Sequence, residues 1–232
     1  MISNIPIEKI LFLDIETVPQ AEKWEDLDET TQKLWDKKTA TQRKEDISAA
    51  DFYEQRGGIM AEFGKIICIS VGMLSSKTGK LKIHSFYGHD ERKILEDFSE
   101  MFTSPKLNAV LLCGHNGKEF DFPFIARRML VHMIPPPKPF QLFGKKPWEV
   151  PHLDTMELWK FGDWKSFASL ELLAHLFNIP TPKDDIDGSM VASIYYIDRD
   201  LERIKVYCEK DVLTLCNVFR KMRQEDLLQR EI

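Results

Sequence analysis

An α/β sheet with helices on both faces is the fold class this sequence predicts. Three observations carry it. Apolar runs of strand length are concentrated in the first half of the 232 residues, helical patterns are interleaved with them, and helices alone fill the final stretch. With 43% hydrophobic residues and neither an internal repeat nor a linker, the chain reads as one domain around one substantial core.

The first strand is LFLDIET at residues 11–17, an apolar run that ends in two carboxylates one residue apart. Side chains alternate along a strand, so Asp14 and Glu16 share a face while Leu13 and Ile15 take the other. Pro19 closes the run, and residues 21–55 are polar with sparse apolar marks, which predicts a helical insertion packed on one side. Gly57 and Gly58 end it. Residues 65–74 (KIICISVGML) are close to continuously apolar and predict a strand buried on both faces. A turn at Thr78 and Gly79 leads to the alternating strand 80–87, so these two strands form a hairpin.

Asp90 is placed to cap a helix whose apolar positions Ile94, Leu95, Phe98, Met101 and Phe102 recur at helical spacing. Residues 108–113 predict a fourth strand, broken by Gly114, and a helix is expected over 121–131. The stretch 134–148 is too rich in proline for regular structure. Leu153, Asp154 and Thr155 suit either a short fifth strand or a helix start. Helices are expected over 166–177, 189–196 and 200–226.

The formal charge of −5 disfavours broad neutralisation of phosphates, but clustered acids inflate that count and a bound metal would cancel part of it. A nucleic-acid substrate therefore stays open. Cys68, Cys113, Cys208 and Cys216 form no C-x-x-C pair, and their apolar or helical settings suit buried free thiols in a reducing compartment. With neither a signal segment nor a run of membrane-spanning length, a cytoplasmic protein without a membrane partner is expected.

Asp14 and Glu16 repel at the end of a buried strand, and a cation, a proton or water must make the pair tolerable. A divalent metal is the usual answer. Asp121 stands where a helix begins, with Pro123 in its first turn. It is either an N-cap or a functional acid at the carboxyl end of a strand, where ligands of α/β sheets collect. On the last helical stretch Tyr207 and Asp211 lie one turn apart and share a face. They can address one point in space, or serve as a core aromatic and a solvated acid.

Together and in order, LFLDIET, GHNGKEFD and YCEKD resemble the three motifs of the DEDD superfamily of 3′–5′ exonucleases. Tyr207 precedes Asp211 by four residues and Val206 stands where the histidine subgroup has its His, so the resemblance is to the tyrosine-type branch. EFGKIICISVG, HLDTMELWKF, SLELLAHLFNIP and KDDIDGSMV extend it toward the stand-alone bacterial exonucleases related to the proofreading domain of family-B DNA polymerases. Nearly the whole chain is covered, apart from residues 21–55.

The resemblance implies a ribonuclease H-like fold: a mixed five-stranded sheet whose second strand is antiparallel to the rest. It implies two divalent ions, Mg²⁺ or Mn²⁺, with Asp14 bridging both, Glu16 and Asp211 completing the nucleophile side, and Asp121 supporting the second ion through water. Oxygen-rich ligands suit such hard cations. Tyr207 would orient the attacking water. Substrate contacts are implied at Asp14, Ile15, Glu16, Thr17, Asn116, Phe120, Asp121, Tyr207 and Asp211, with Phe120 also open to a packing role. The chain ends soon after the third motif, so a free-standing nuclease acting on 3′ ends of single-stranded DNA is expected. A catalytically silent nucleic-acid-binding module and an RNA-directed exonuclease are the alternatives.

Lesser signals complete the reading. The stretch 138–148 interleaves cations with aromatics, as single-strand grips do, or is a loop pinned by Phe143 and Trp148. His115 and Asp154 are expected to be structural. Asp184, Asp185 and Asp187 are expected to be capping or solvated acids.

Overall fold

The computed structural model describes residues 2–107, 110–163, 165–180 and 186–228. The central strand, β1 (Ile10–Pro19), is followed by α1 (Glu29–Thr39) and α2 (Ala49–Arg56), then by the hairpin of β2 (Gly64–Leu74) and β3 (Leu81–Tyr87). Next come α3 (Glu91–Met101), β4 (Leu111–Gly114), α4 (Asp121–Val131), β5 (Leu153–Asp154), α5 (Thr155–Lys160) and α6 (Leu170–Leu176). A short α7 (Val191–Ser193) runs into a π turn over Ile194–Asp198, and α8 (Leu201–Met222) closes the described fold. The sheet order is β3-β2-β1-β4-β5, with β2 antiparallel to both neighbours and β4 and β5 parallel to β1. This is the mixed five-stranded sheet expected.

Alternation along β1 builds the two layers. Leu11, Leu13 and Ile15 join Ile94, Leu95 and Phe98 of α3 and Phe122, Phe124 and Ile125 of α4. Ile10 and Phe12 face the other way, onto Val212, Leu215, Cys216 and Phe219 of α8. Each such fully buried side chain contributes about 1.5–3 kcal/mol. Helix α8 approaches the sheet at Gly72 of β2, where a Cβ would lie 2.7 Å from Val212 Cγ1, so only glycine fits. The β1–β2 register shifts between Glu16 and Thr17, with Glu16 opposite Cys68 and Thr17 opposite Ile66. Ile67 is the extra residue, and it packs with Ile194 and Ile204.

Residues 21–55 carry helices, as expected, and Trp35 and Tyr53 pack them on Phe63, where β1 ends and β2 begins. The indole of Trp35 is fully buried and donates to the Ala49 carbonyl at 2.9 Å.

Several boundaries differ from those expected. Strand β4 begins at Leu111, and Asn108 and Ala109 lie outside the described residues. Helix α6 spans only Leu170–Leu176 because Ser169 caps it, its hydroxyl accepting from Leu172 N. Helix α8 stops at Met222, where Arg223 donates to the Ile5 carbonyl at 2.7 Å and ties the helix end to the N-terminal segment. The loop after α4 is held by buried Ile134 and Phe140, while Phe143 and Trp148 are 72% and 76% exposed and pin nothing.

A buried ion pair locks α3, β2 and α4 together. Glu91 accepts from Arg128 Nε at 2.9 Å and Nη2 at 2.6 Å, from Ile66 N at 2.7 Å, and is bonded to His132 Nε2 at 2.7 Å. Burial alone would raise the Glu91 carboxyl. The bonds from Arg128, Ile66 and His132 outweigh it and hold the group below the usual carboxylate range. Glu91→Ala strands the Arg128 charge and is expected to cost about 3–5 kcal/mol in urea denaturation at neutral pH. A carboxyl with a lowered pKa stabilises above its unfolded value and loses that contribution as pH falls through the folded one, so the deficit should shrink in acid. An equal deficit at both pH values would contradict this account.

Candidate active site

Strand β4 accompanies β1 for only three residue pairs, the last being Phe12 with Cys113. From Leu13 onward the β4-side edge of β1 has no strand partner. Asp121 fills the gap: its Oδ1 accepts from Ile15 N at 3.2 Å. The residue is the first of α4 and 4% exposed, and its carboxylate does not cap that helix. The N-cap alternative is thereby set aside. Asp121 reaches from the α3/α4 layer to the central strand.

The loop that delivers Asp121 is fixed by Asp154 at the end of β5. The Asp154 carboxylate accepts from Asn116 N at 2.9 Å and Lys118 N at 3.1 Å, and caps α5 through Met156 N at 2.9 Å. Asn116 has φ +60°, a left-handed conformation that asparagine tolerates better than most residues. Gly114 and Gly117 touch so closely that a Cβ on Gly114 would fall 2.9 Å from the Gly117 Cα. His115 bonds Thr155 Oγ1 at 2.9 Å and the Ala168 carbonyl at 2.8 Å, the structural role expected of it. Phe120 packs on Phe124, ring centroids 5.4 Å apart.

Asp14 and Glu16 continue the face of β1 that meets α8. Asp14 is half-buried and Glu16 only 7% exposed. Opposite them α8 presents Tyr207, Cys208 and Asp211, the first and last one turn apart as expected. Cys208 Sγ lies 3.4 Å from Asp14 Oδ2 and 3.5 Å from the Asp14 carbonyl oxygen. One ligand atom each from Asp14, Glu16 and Cys208 lie within 4.8 Å of one another. Asp121 and Asp211 are outside this triad but within electrostatic reach of it. The Ile15 side chain is buried in the core, and Thr17, just past the register shift, is half-buried.

On balance the electrostatics oppose charge on these acids. Burial first, then the carboxylates of Glu16, Asp211 and Asp121, raise Asp14 far above the usual range. Glu16 is raised by burial, then by Asp211, Cys68 and Asp121. Asp121 is pushed up to about 7, chiefly by burial with help from Asp154, against the pull of the Ile15 N–H. Burial and then Asp211, Glu16 and Asp14 push the Tyr207 phenol upward, so it stays protonated through the neutral range. Four acids from β1, α4 and α8 thus act on one another without an internal cation among the described residues that neutralises Asp14 or Glu16. The donor set fits a divalent cation, because oxygen ligands of this number and charge are what hard ions take.

Sequence reasoning missed Cys208. Its only signal was its place three residues before Asp211, on the same helical face, where it read as one more buried thiol. Asp187 caps locally by accepting from Ser189 N at 2.8 Å, and Asp184 and Asp185 lie outside the described residues.

Fold and site together define a class, ribonuclease H-like domains with an acidic cluster on the central strand. Residues 59–230 match the family described as "Predicted 3'-5' exonuclease related to the exonuclease domain of PolB". The chain belongs to that family. Asp121, Tyr207 and Asp211 fall within the matched span, whereas Asp14 and Glu16 precede it. Among solved structures the fold is similar to the family B DNA polymerase of the hyperthermophilic archaeon Pyrobaculum calidifontis, with TM-score 0.56 and 14% identity. That likeness covers 91% of this chain and 24% of the polymerase chain. No curated protein sequence matches the chain.

An acid whose pKa is raised by folding stabilises fully below its unfolded value and loses that contribution as pH rises through the folded one. In chelator, stability should therefore fall as pH rises through about 7, the value to which Asp121 is raised. Asp121→Asn keeps an acceptor for Ile15 N and removes the charge. It and Glu16→Gln are each expected to stabilise the metal-free protein by about 2 kcal/mol above neutral pH, measured by denaturant titration. Destabilisation by both would show that the carboxylates are held by favourable contacts instead.

Proposed function

We propose that this protein is a metal-dependent 3′–5′ exonuclease of the tyrosine type, acting on 3′ ends of single-stranded DNA and releasing 5′-mononucleotides. The observation that carries the reading is the meeting of Asp14, Glu16, Asp121 and Asp211 around β1, with Tyr207 beside them, in a chain whose family is one of predicted 3′–5′ exonucleases. Residues 21–55 are an insertion in a single nuclease domain, and a cytoplasmic setting suits its four free, buried cysteines.

Hydrolysis adds a water oxygen to phosphorus, breaks the bond to the 3′-oxygen of the penultimate nucleotide and returns a proton to that oxygen. Two divalent ions, Mg²⁺ or Mn²⁺, supply nucleophile activation at neutral pH and offset the charge that builds on the departing oxygen. Asp14 would serve both ions, Glu16 and Asp211 the one on the nucleophile side, and Asp121 the other from across the strand. The protonated Tyr207 phenol donates to or accepts from the attacking water and fixes its direction. Thr17 offers its backbone near the terminal 3′-hydroxyl, Asn116 shapes the strand end beside it, and Phe120 packs. Phe143 and Trp148, exposed among Lys138, Lys145 and Lys146, suit stacking of unpaired bases and pairing with phosphates.

A 5′-labelled single strand incubated with Mn²⁺ should give a ladder that shortens from the 3′ end and is abolished by chelator. Asp14→Ala and Asp211→Ala are each expected to lower the rate by about 10³-fold or more, and Tyr207→Phe by about 10²-fold. Matched RNA and duplex DNA in the same assay report the substrate preference. Undiminished cleavage by both alanine variants, or a ladder running from the 5′ end, would refute the proposal.

A further inference from the structure

Cys208 occupies a position for which chemistry with hard cations has no need. Its sulfur and one oxygen each from Asp14 and Glu16 lie within 4.8 Å of one another. A cation holding oxygens at about 2.1 Å and a sulfur at about 2.3 Å separates its ligands by no more than roughly 4.4 Å, so the three atoms already sit near the size of one coordination sphere. The Glu16 carboxylate is 7% exposed, and no donor among the described residues offsets the groups that oppose its charge. The hydrogen bond to the Asp14 carboxylate comes from the Cys208 sulfur. A second thiol, Cys68, stands opposite Glu16 and against Cys208.

We infer that Asp14, Glu16 and Cys208 form a binding site for a thiophilic divalent cation such as Zn²⁺, Cd²⁺ or Co²⁺, with Cys208 as the sulfur ligand. This shares with the proposed function only the position of a cation between Asp14 and Glu16. A hard ion takes the oxygens and leaves the sulfur protonated, donating to Asp14. A thiophilic ion takes the sulfur too: the metal–sulfur bond forms as the S–H proton passes to solvent, with no change of oxidation state. The two kinds of ion compete for the same carboxylates, so the thiophilic one displaces the hard one and silences the chemistry that depends on it.

Titration of the metal-free protein with Co²⁺ should raise a near-ultraviolet thiolate-to-cobalt charge-transfer band. The band should be retained in Cys68→Ser and lost in Cys208→Ser, whose Zn²⁺ affinity should fall by about tenfold or more. X-ray absorption of the Zn²⁺-loaded wild type and Cys68→Ser proteins should show a sulfur neighbour at about 2.3 Å, which keeps the test open if Cys208→Ser does not fold. Absence of the band from wild type, its persistence in Cys208→Ser, or an all-oxygen zinc shell would overturn the inference. Cleavage with Mn²⁺ but no band would remove this inference and leave the nuclease reading standing; a band without cleavage would do the reverse.

Discussion

Charge buried on the central strand of a sheet is the constraint around which this structure is arranged. A strand in that position is covered on both faces, and along β1 apolar side chains meet the requirement up to Leu13. At Asp14 and Glu16 the same geometry continues with carboxylates. Removing such groups from water costs several kcal/mol each unless something compensates, and their neighbours here are further carboxylates. The surrounding packing holds an arrangement that its own electrostatics oppose, and a cation would reverse that balance.

The packing that does this is specific. Helix α8 can bring Tyr207, Cys208 and Asp211 over β1 because Gly72 lets it lie directly on β2 and because Phe12 and Phe219 pack edge to face below. Helix α4 can bring Asp121 because β4 stops early and leaves the Ile15 N–H to be satisfied by a side chain. A backbone donor that is normally spent on a ladder bond is used here to aim a carboxylate. Asp154 and the buried Glu91–Arg128 pair then hold the two ends of the route by which Asp121 arrives.

The cluster also contains a soft atom among hard ones. Cys208 is a buried thiol like the other three cysteines, yet its sulfur bonds the Asp14 carboxylate and shares a ligand-sized space with Asp14 and Glu16. The identity of the ion and the protonation of that sulfur are therefore linked at one place, and the oxygen ligands alone do not describe what the site selects.

Much of this was legible in the sequence. Period-two alternation placed Asp14 and Glu16 on one face of a strand, the i, i+4 spacing placed Tyr207 and Asp211 on one face of a helix, and the continuous apolar run of β2 marked a strand buried on both sides. Those inferences depend only on local geometry, which the chain carries with it. What local pattern could not supply was any relation between elements. Whether Asp121 capped its own helix or reached the neighbouring strand depended on where β4 stopped, and whether Phe143 and Trp148 or Ile134 and Phe140 held their loop depended on which rings found room in the core. Cys208 became part of the site only when α8 was laid across β1. Contacts between residues nearly two hundred positions apart are fixed by packing and not by pattern, and that is why the tertiary structure decided them.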